Sequence, residues 1–290
     1  MPTPPTSKTP AVRIGLSGWD YPKWQGDFYP VGLAARRRLE YVSQHFDTVE
    51  VNGSFYSLQR PTTYRRWYDA TPAGFALAIK GGRFITHLKR LRDVGQGLAN
   101  FFASGPLVLA EKLGPVLWQL PASITFDEEL IASFLRQLPR TTTAVSELAR
   151  RHDDKLRDRV ALDAGEERPV RHALEVRHRS FDDPRYYELL ARHDIANVVS
   201  DSPTWPMLDS RTTDFAYVRL HGHTELYHSG YSGASLDGWA RRCREWSEHG
   251  PVYVYFDNDA RGRAPHDALG LRHRLGLDQP VPDSLAGARG

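Results

Sequence analysis

A single cysteine, Cys243, leaves this chain without a partner for an intrachain disulfide, so packing and polar contacts must hold the fold, and a reducing compartment fits. Lysine is also scarce, at 6 residues against 32 arginines. No stretch approaches the roughly 20 apolar residues needed to cross a bilayer. The opening MPTPPTSKTP lacks the apolar core of a signal peptide, so a cytoplasmic protein without membrane association is expected. The motifs G-x-x-x-x-G-K-[ST], H-E-x-x-H, G-x-S-x-G and a post-strand G-x-G-x-x-G are all missing. Walker-type nucleotide hydrolysis, zincin proteolysis, esterase chemistry and Rossmann cofactor binding therefore lose support. His223, Thr224 and Glu225 mimic half of the zinc deaminase signature, but its P-C-x-x-C half needs two cysteines.

What is present is a normal globular composition, 40% hydrophobic and 25% charged. The formal charge of +3 permits nucleic-acid binding without indicating it. Eight short apolar runs of strand type break off in polar residues: RIGLSGW, TVEVNGSFY, FALAIKGGRF, PVLWQLP, HALEVRHRSF, ANVVSD, AYVRLHG and VYVYFDND. Helical spacing between them, as at Leu39, Val42 and Phe46 or at Leu236, Trp239, Cys243 and Trp246, implies strict strand and helix alternation and a parallel sheet. The expected fold is α/β, a single (β/α)8 TIM-type barrel over residues 12–276, with a disordered lead over 1–11 and a tail over 277–290. In the fourth helix, Thr125 and Glu128 have capping-box spacing ahead of Leu130, Ile131, Phe134, Leu135 and Leu138. Residues 140–171, arginine-rich with an Ala/Leu centre, read as a solvated insertion on the outer face between helix 4 and strand 5, able to form an extra helix.

Active sites of such barrels gather at the C-terminal strand ends, and side chains two apart on a strand share a face. That parity pairs Glu50 with Asn52, Glu175 with Arg177, Arg219 with His221, and Tyr255 with Asp257. Val51, Val176, Leu220 and Phe256 then turn toward the helices. Lys80 continues Ala76 and Ala78, while Gln119 and Asp201 end strands four and six. Charges in a barrel interior must pair or reach a cavity. Counting Asp201, four acids meet three fixed cations, a mixture suited to a hydrogen-bonded network around a polar ligand. The aromatics Trp19, Tyr21, Trp24, Phe55, Tyr56 and Trp205 crowd the loops beyond the same ends, and HGHTELYHSGYSG has the composition of a mobile clamp.

The chemistry expected at such a mouth is acid-base and electrostatic catalysis on a small polar, anionic ligand such as a phosphorylated sugar or nucleotide fragment, with hydrolase or lyase reactions in view. Glu50 or Glu175 would serve as base and His178 or His221 as acid; Lys80, Arg177 and Arg219 would clamp the anion. Asn52, Tyr56, Gln119, Asp201, Tyr255 and Asp257 complete the expected ligand contacts. A divalent metal held by His221, His223, His228, Glu175 and Asp257 is a weaker reading, so no metal residue is assigned and the cofactor stays unknown. Metal-dependent phosphodiester cleavage on nucleic acid, with Arg150, Arg151, Arg157 and Arg159 as a basic rim, is one alternative. A non-catalytic ligand sensor is another. Oligomeric state is not legible.

The ordered motifs SGWDYPKWQGDFYP, FDTVEVNGSFYSLQRPTTYRRW, FALAIKGGRFITH, LGPVLWQLP, ALEVRHRSF, DFAYVRLHG and VYVYFDNDARGRAPHDAL resemble the domain-of-unknown-function 72 family, also called YecE-like proteins, over roughly residues 12–275. The resemblance implies a TIM-barrel fold and no established activity. Carried over by residue, it implies recurrent polar positions at Glu50, Asn52, Tyr56, Lys80, His87, Gln119, Glu175, Arg177, His178, Arg219, His221 and Gly222. Two positions depart from it: Asp257 and Asp267 stand where the family commonly has asparagine.

Overall fold

A computed structural model describes residues 11–278. The expected lead and tail lie outside the described residues except for Ala11, Leu277 and Asp278. The strands β1 (Val12–Ser17), β2 (Thr48–Val51), β3 (Ala76–Lys80), β4 (Leu113–Gln119), β5 (His172–Glu175), β6 (Ile195–Asp201), β7 (Ala216–Leu220) and β8 (Val252–Phe256) close into one parallel barrel in sequence order. Around it run α1 (Arg38–His45), α2 (Gly53–Tyr56), α3 (Pro61–Asp69), α4 (Gly95–Ala103), α5 (Glu128–Leu135), α6 (Thr142–Ala149), α7 (Pro184–Arg192), α8 (Gly233–Ser247) and α9 (Arg263–Leu275).

Strand parity divides the molecule into an inside and an outside. Outward residues such as Val49, Val51, Trp118 and Leu174 join the helix-facing core on one flank, and Ile14, Leu16, Val218, Leu220, Val254 and Phe256 do so on the other. Inward residues form a separate cluster: Ala76, Ala78, Leu117, Ala173, Ala196 and Val198 face the rings of Tyr217, Tyr253 and Tyr255. Small side chains on β3, β5 and β6 thus make room for three tyrosines from β7 and β8, which fills the lumen as barrel packing requires. At Gly15 a Cβ would meet the Thr48 carbonyl oxygen at 1.9 Å, so only glycine lets β1 and β2 approach there.

Three local expectations change. The α5 cap is Asp127, whose side chain accepts from the Leu130 amide; the spacing from Thr125 to Glu128 starts the helix two residues early. Between β6 and β7 the chain crosses through residues 202–215 without a helix, so the alternation is broken once. Polar side chains hold that crossing instead: Asn197 Nδ2 donates to the Leu208 and Ser210 carbonyls, and Thr212 Oγ1 donates to the Ile195 carbonyl. The segment 140–171 does lie outside the barrel and does carry an extra helix, α6. It is more than a solvated elaboration, because Val145 and Ala149 are fully buried in the main apolar cluster and Ala161 N–H donates to the Ala103 carbonyl.

Candidate functional site

Above the tyrosine layer each strand contributes one inward polar residue at its C-terminal end: Ser17, Glu50, Lys80, Gln119, Glu175, Ser200, Arg219 and, one step past β8, Asp257. Arg219 is the hub and is wholly buried. Its Nε and Nη2 donate to Glu50 at 2.9 and 2.8 Å, its Nη1 to Glu175 at 2.6 Å, and its Nη2 also to Asp257 at 3.1 Å and Ser17 at 3.0 Å. Glu50 further accepts from Ser17 Oγ at 2.6 Å and from Tyr217 Oη at 2.8 Å. Both Glu50 and Arg219 therefore have their hydrogen-bonding capacity taken up inside the protein. They form a scaffold, and the expected roles of Glu50 as base and Arg219 as ligand clamp do not suit these surroundings.

Glu175 is likewise enclosed. Burial alone would raise its pKa, but Arg177, Arg219 and His221 reverse that and hold it well below the usual carboxylate range. It is a firm anion and a weak base. Asp257 shows the same balance, burial opposed by Arg219 and His221, with the carboxyl held below its ordinary range. Asp257 keeps 15% of its side chain exposed, so unlike Glu175 it borders the mouth.

His221 lies against this carboxylate, Nδ1 2.9 Å from Asp257 Oδ2, while Nε2 lies 3.4 Å from Arg219 Nη1 and 3.5 Å from Glu175. The short Nδ1 contact is off the line of a good hydrogen bond, leaving this nitrogen without an aligned partner. The rings of Trp205 and Tyr227 pack edge-on to His221.

Two cations keep capacity to spare. Arg177 donates to Glu175 at 2.8 Å, stacks on Trp205 at 4.0 Å and reaches Tyr227 Oη at 3.4 Å, with 13% of its side chain exposed. Lys80 is 8% exposed, and its amine lies 4.5 Å from the centre of the Phe55 ring. Among the described residues the amine makes no ion pair and no hydrogen bond, while the Lys80 carbonyl accepts from Ser54 Oγ. Burial, reinforced by Arg219 and only partly offset by Glu50, Asp257 and Glu175, brings its pKa down to about 8.

The remaining expected residues divide. Asn52 joins the network, donating to Ser17 Oγ at 3.0 Å, and its own buried Oδ1 has no partner. Gln119 is buried and donates to the Leu120 carbonyl. Tyr255 sits a layer lower, its hydroxyl 2.8 Å from Thr48 Oγ1, and so packs rather than contacts a ligand. Tyr56 is 69% exposed on α2 and lines a cavity of about 570 Å³ with Trp19, Tyr21, Asn52, Arg66 and Trp67, beside the mouth.

Asp201 and His178 are not brought into the network. Ala196, Val198 and Ser200 are the inward residues of β6, so Asp201 has the opposite parity and lies near His223 against α8. His178 turns its Nδ1 to the Ser180 amide and hydroxyl, capping a short turn. Nor do the loop histidines converge on His221. Gly222, at φ +105°, reverses the strand and sends His223 to Asp201, while His228 pairs with Glu225. Among the described residues, no group of three or more His, Cys, Asp and Glu side chains is arranged to hold a metal ion. The insertion arginines Arg150, Arg151, Arg157 and Arg159 are exposed on a segment tied to α4 through the Gln96 and Asn100 side chains, away from this network. With Asp201 removed, Glu50, Glu175 and Asp257 face Arg177, Arg219 and Lys80, three acids to three cations.

The family model described as "Protein of unknown function DUF72" matches residues 13–287. The chain belongs to the DUF72 family. It is 24% identical to UPF0759 protein YunF of Bacillus subtilis over 92% of this chain and 95% of that protein. It is 32% identical to UPF0759 protein YecE of Escherichia coli over 39% of this chain and 38% of that protein. The crystal structure of a DUF72 family protein from Thermotoga maritima superposes with a TM-score of 0.74 at 27% identity, covering 92% of this chain and all of that one. In this DUF72 barrel Ser17 and Tyr217 also belong to the network, and Ser200 Oγ accepts from the Trp205 indole, three inward positions absent from the expected set. The same parity would have found them, Ser17 two residues past Gly15 and Tyr217 two before Arg219. No helix among the described residues is long and apolar enough to cross a membrane.

Proposed function

We propose that this DUF72 protein is an enzyme whose barrel mouth binds a small, polar, anionic ligand such as a phosphorylated sugar. The reading rests on one observation: of the three cations around the acidic cluster, Arg219 is saturated, whereas Arg177 and Lys80 keep donors for an incoming group. Arg177 supplies a planar fork suited to phosphate or carboxylate, and its stacking on Trp205 fixes the fork's plane. Lys80 brings a second nitrogen with unused donors to the end of β3. The His221 and Asp257 pair is the acid-base couple, because Asp257, though it also accepts from Arg219, reaches the mouth and lies against His221, whereas Glu50 and Glu175 are fully enclosed. Their fixed charges set the field in which the couple works.

Thermal unfolding with inorganic phosphate and a panel of sugar phosphates tests this reading. Stabilisation that grows with ligand concentration and disappears in Arg177→Ala is expected. An unfolding temperature indifferent to every anion offered would sink it, and stabilisation without conversion of any ester would recast the barrel as a binding protein.

A further inference from the structure

We propose that the Lys80 amine is a nucleophile that forms an imine with the carbonyl carbon of a small ketone or aldehyde carrying a carboxylate or phosphate. This rests on the anionic-ligand reading and names the substrate class of that same site. Three other lysines already have partners. Lys23 pairs with Asp259 at 3.2 Å, Lys155 lies beside Asp153, and Lys112 donates to the Tyr68 and Thr71 carbonyls. Each is occupied. Lys80, by contrast, is buried at the C-terminal end of β3 with an aromatic ring over its amine and no carboxylate or carbonyl in hydrogen-bond reach among the described residues.

A buried ammonium without a partner is costly, and a lysine kept there for charge alone would be better placed against one of the three nearby acids. The arrangement makes sense for a group whose neutral form does the work. Burial and Arg219 favour that form, and both influences come from the fold itself. The surroundings then suit the product. A protonated imine is a cation, and Glu50, Glu175 and Asp257 are fixed anions on neighbouring inward positions.

The step balances without any further reagent. The Lys80 nitrogen attacks the carbonyl carbon, the carbon–nitrogen bond forms, and the carbonyl oxygen takes up protons. The carbon–oxygen bond then breaks and the oxygen leaves as water. From the ammonium form, two of its three hydrogens depart in that water and one remains on the iminium nitrogen. Arg177 holds the carboxylate or phosphate through the donors it does not use on Glu175. The remainder of a larger substrate has room in the cavity across α2, since Phe55 covers the amine and its neighbour Tyr56 lines that cavity.

The test uses the full-length protein incubated with pyruvate or dihydroxyacetone phosphate, with inorganic phosphate as the anion lacking a carbonyl. Each sample is treated with borohydride, digested and mapped by mass, and its thermal unfolding is measured in parallel. The expected result is a reduced adduct on Lys80, exceeding that on Lys23, Lys89 or Lys155 by on the order of tenfold or more, as its larger neutral fraction at pH 8 dictates. Lys80→Arg should abolish the adduct while phosphate still stabilises the protein. Stabilisation by all three anions with no adduct, or labelling spread evenly over the lysines, overturns the imine and leaves the anion site standing. Neither stabilisation nor adduct removes both.

Discussion

Lys112 and Lys80 sit at opposite ends of the same barrel, both buried and both over an aromatic ring, at 4.0 Å from Tyr68 and 4.5 Å from Phe55. Their surroundings otherwise differ. At the N-terminal end Lys112 gives its protons to two backbone carbonyls, Arg13 gives its own to the Asp47 and Gly74 carbonyls, and Arg272 pairs with Asp47. Every cation there closes a local contact. At the C-terminal end the network is equally dense around Arg219, yet Lys80, Asn52 Oδ1 and His221 Nδ1 are left without aligned partners. Buried polar groups are ordinarily satisfied, so this gathering of unmet groups around one mouth marks where an incoming molecule would complete the set.

The largest effect is expected at the hub of the C-terminal network. Arg219→Met strips Glu50, Glu175 and Asp257 of their common partner and should cost about 3–5 kcal/mol, read by urea unfolding. A loss below about 1 kcal/mol would mean the cluster is not held together as an ion network.

Next comes the pH dependence of Lys80. Its folded value, about 8, lies below the ordinary lysine value of 10.5, so between the two the unfolded chain keeps a proton that the folded chain has released. Stability then rises with pH through that window, and below about 8 the full penalty applies. Relative to Lys80→Met, the native protein should gain roughly 3 kcal/mol between pH 7 and pH 10.5. Parallel curves for the two proteins would show that the amine is not desolvated.

At the other end, Lys112→Met leaves the Tyr68 and Thr71 carbonyls without their donor and should cost about 1–3 kcal/mol. Since Lys112 lies far from the proposed chemistry, phosphate should stabilise this variant as much as the parent. The smallest effect belongs to Asp127→Ala, which removes the α5 cap for about 1 kcal/mol and should leave the Lys80 titration untouched. A change in that titration would show that the mouth is sensitive to any loosening nearby.

Much of this was readable from residue order. Eight apolar runs announced eight strands, and parity placed Glu50, Lys80, Glu175 and Arg219 inside the barrel because a strand's period of two survives wherever the strand stays regular. It failed at the ends of strands. The end of β6 puts Ser200 on the inward face and turns Asp201 away from it, and Gly222 carries His223 to Asp201 rather than to His221. The satisfaction of each group was not readable at all. That Arg219 is saturated and Lys80 is not depends on distances between residues up to 202 positions apart, which no local pattern encodes.

The helix-free crossing between β6 and β7 has a kinetic consequence. Residues 202–215 are pinned through a handful of side-chain bonds at Asn197, Thr212 and Trp205, whereas the strands they join are locked into the barrel on both edges. Such a segment opens at far smaller free energy than the whole domain, and its amides exchange with solvent ahead of those in β6 and β7. Trp205 rides on that segment while lying against both Arg177 and His221. A local opening of this segment therefore uncovers the Trp205 side of both residues while the barrel itself stays folded.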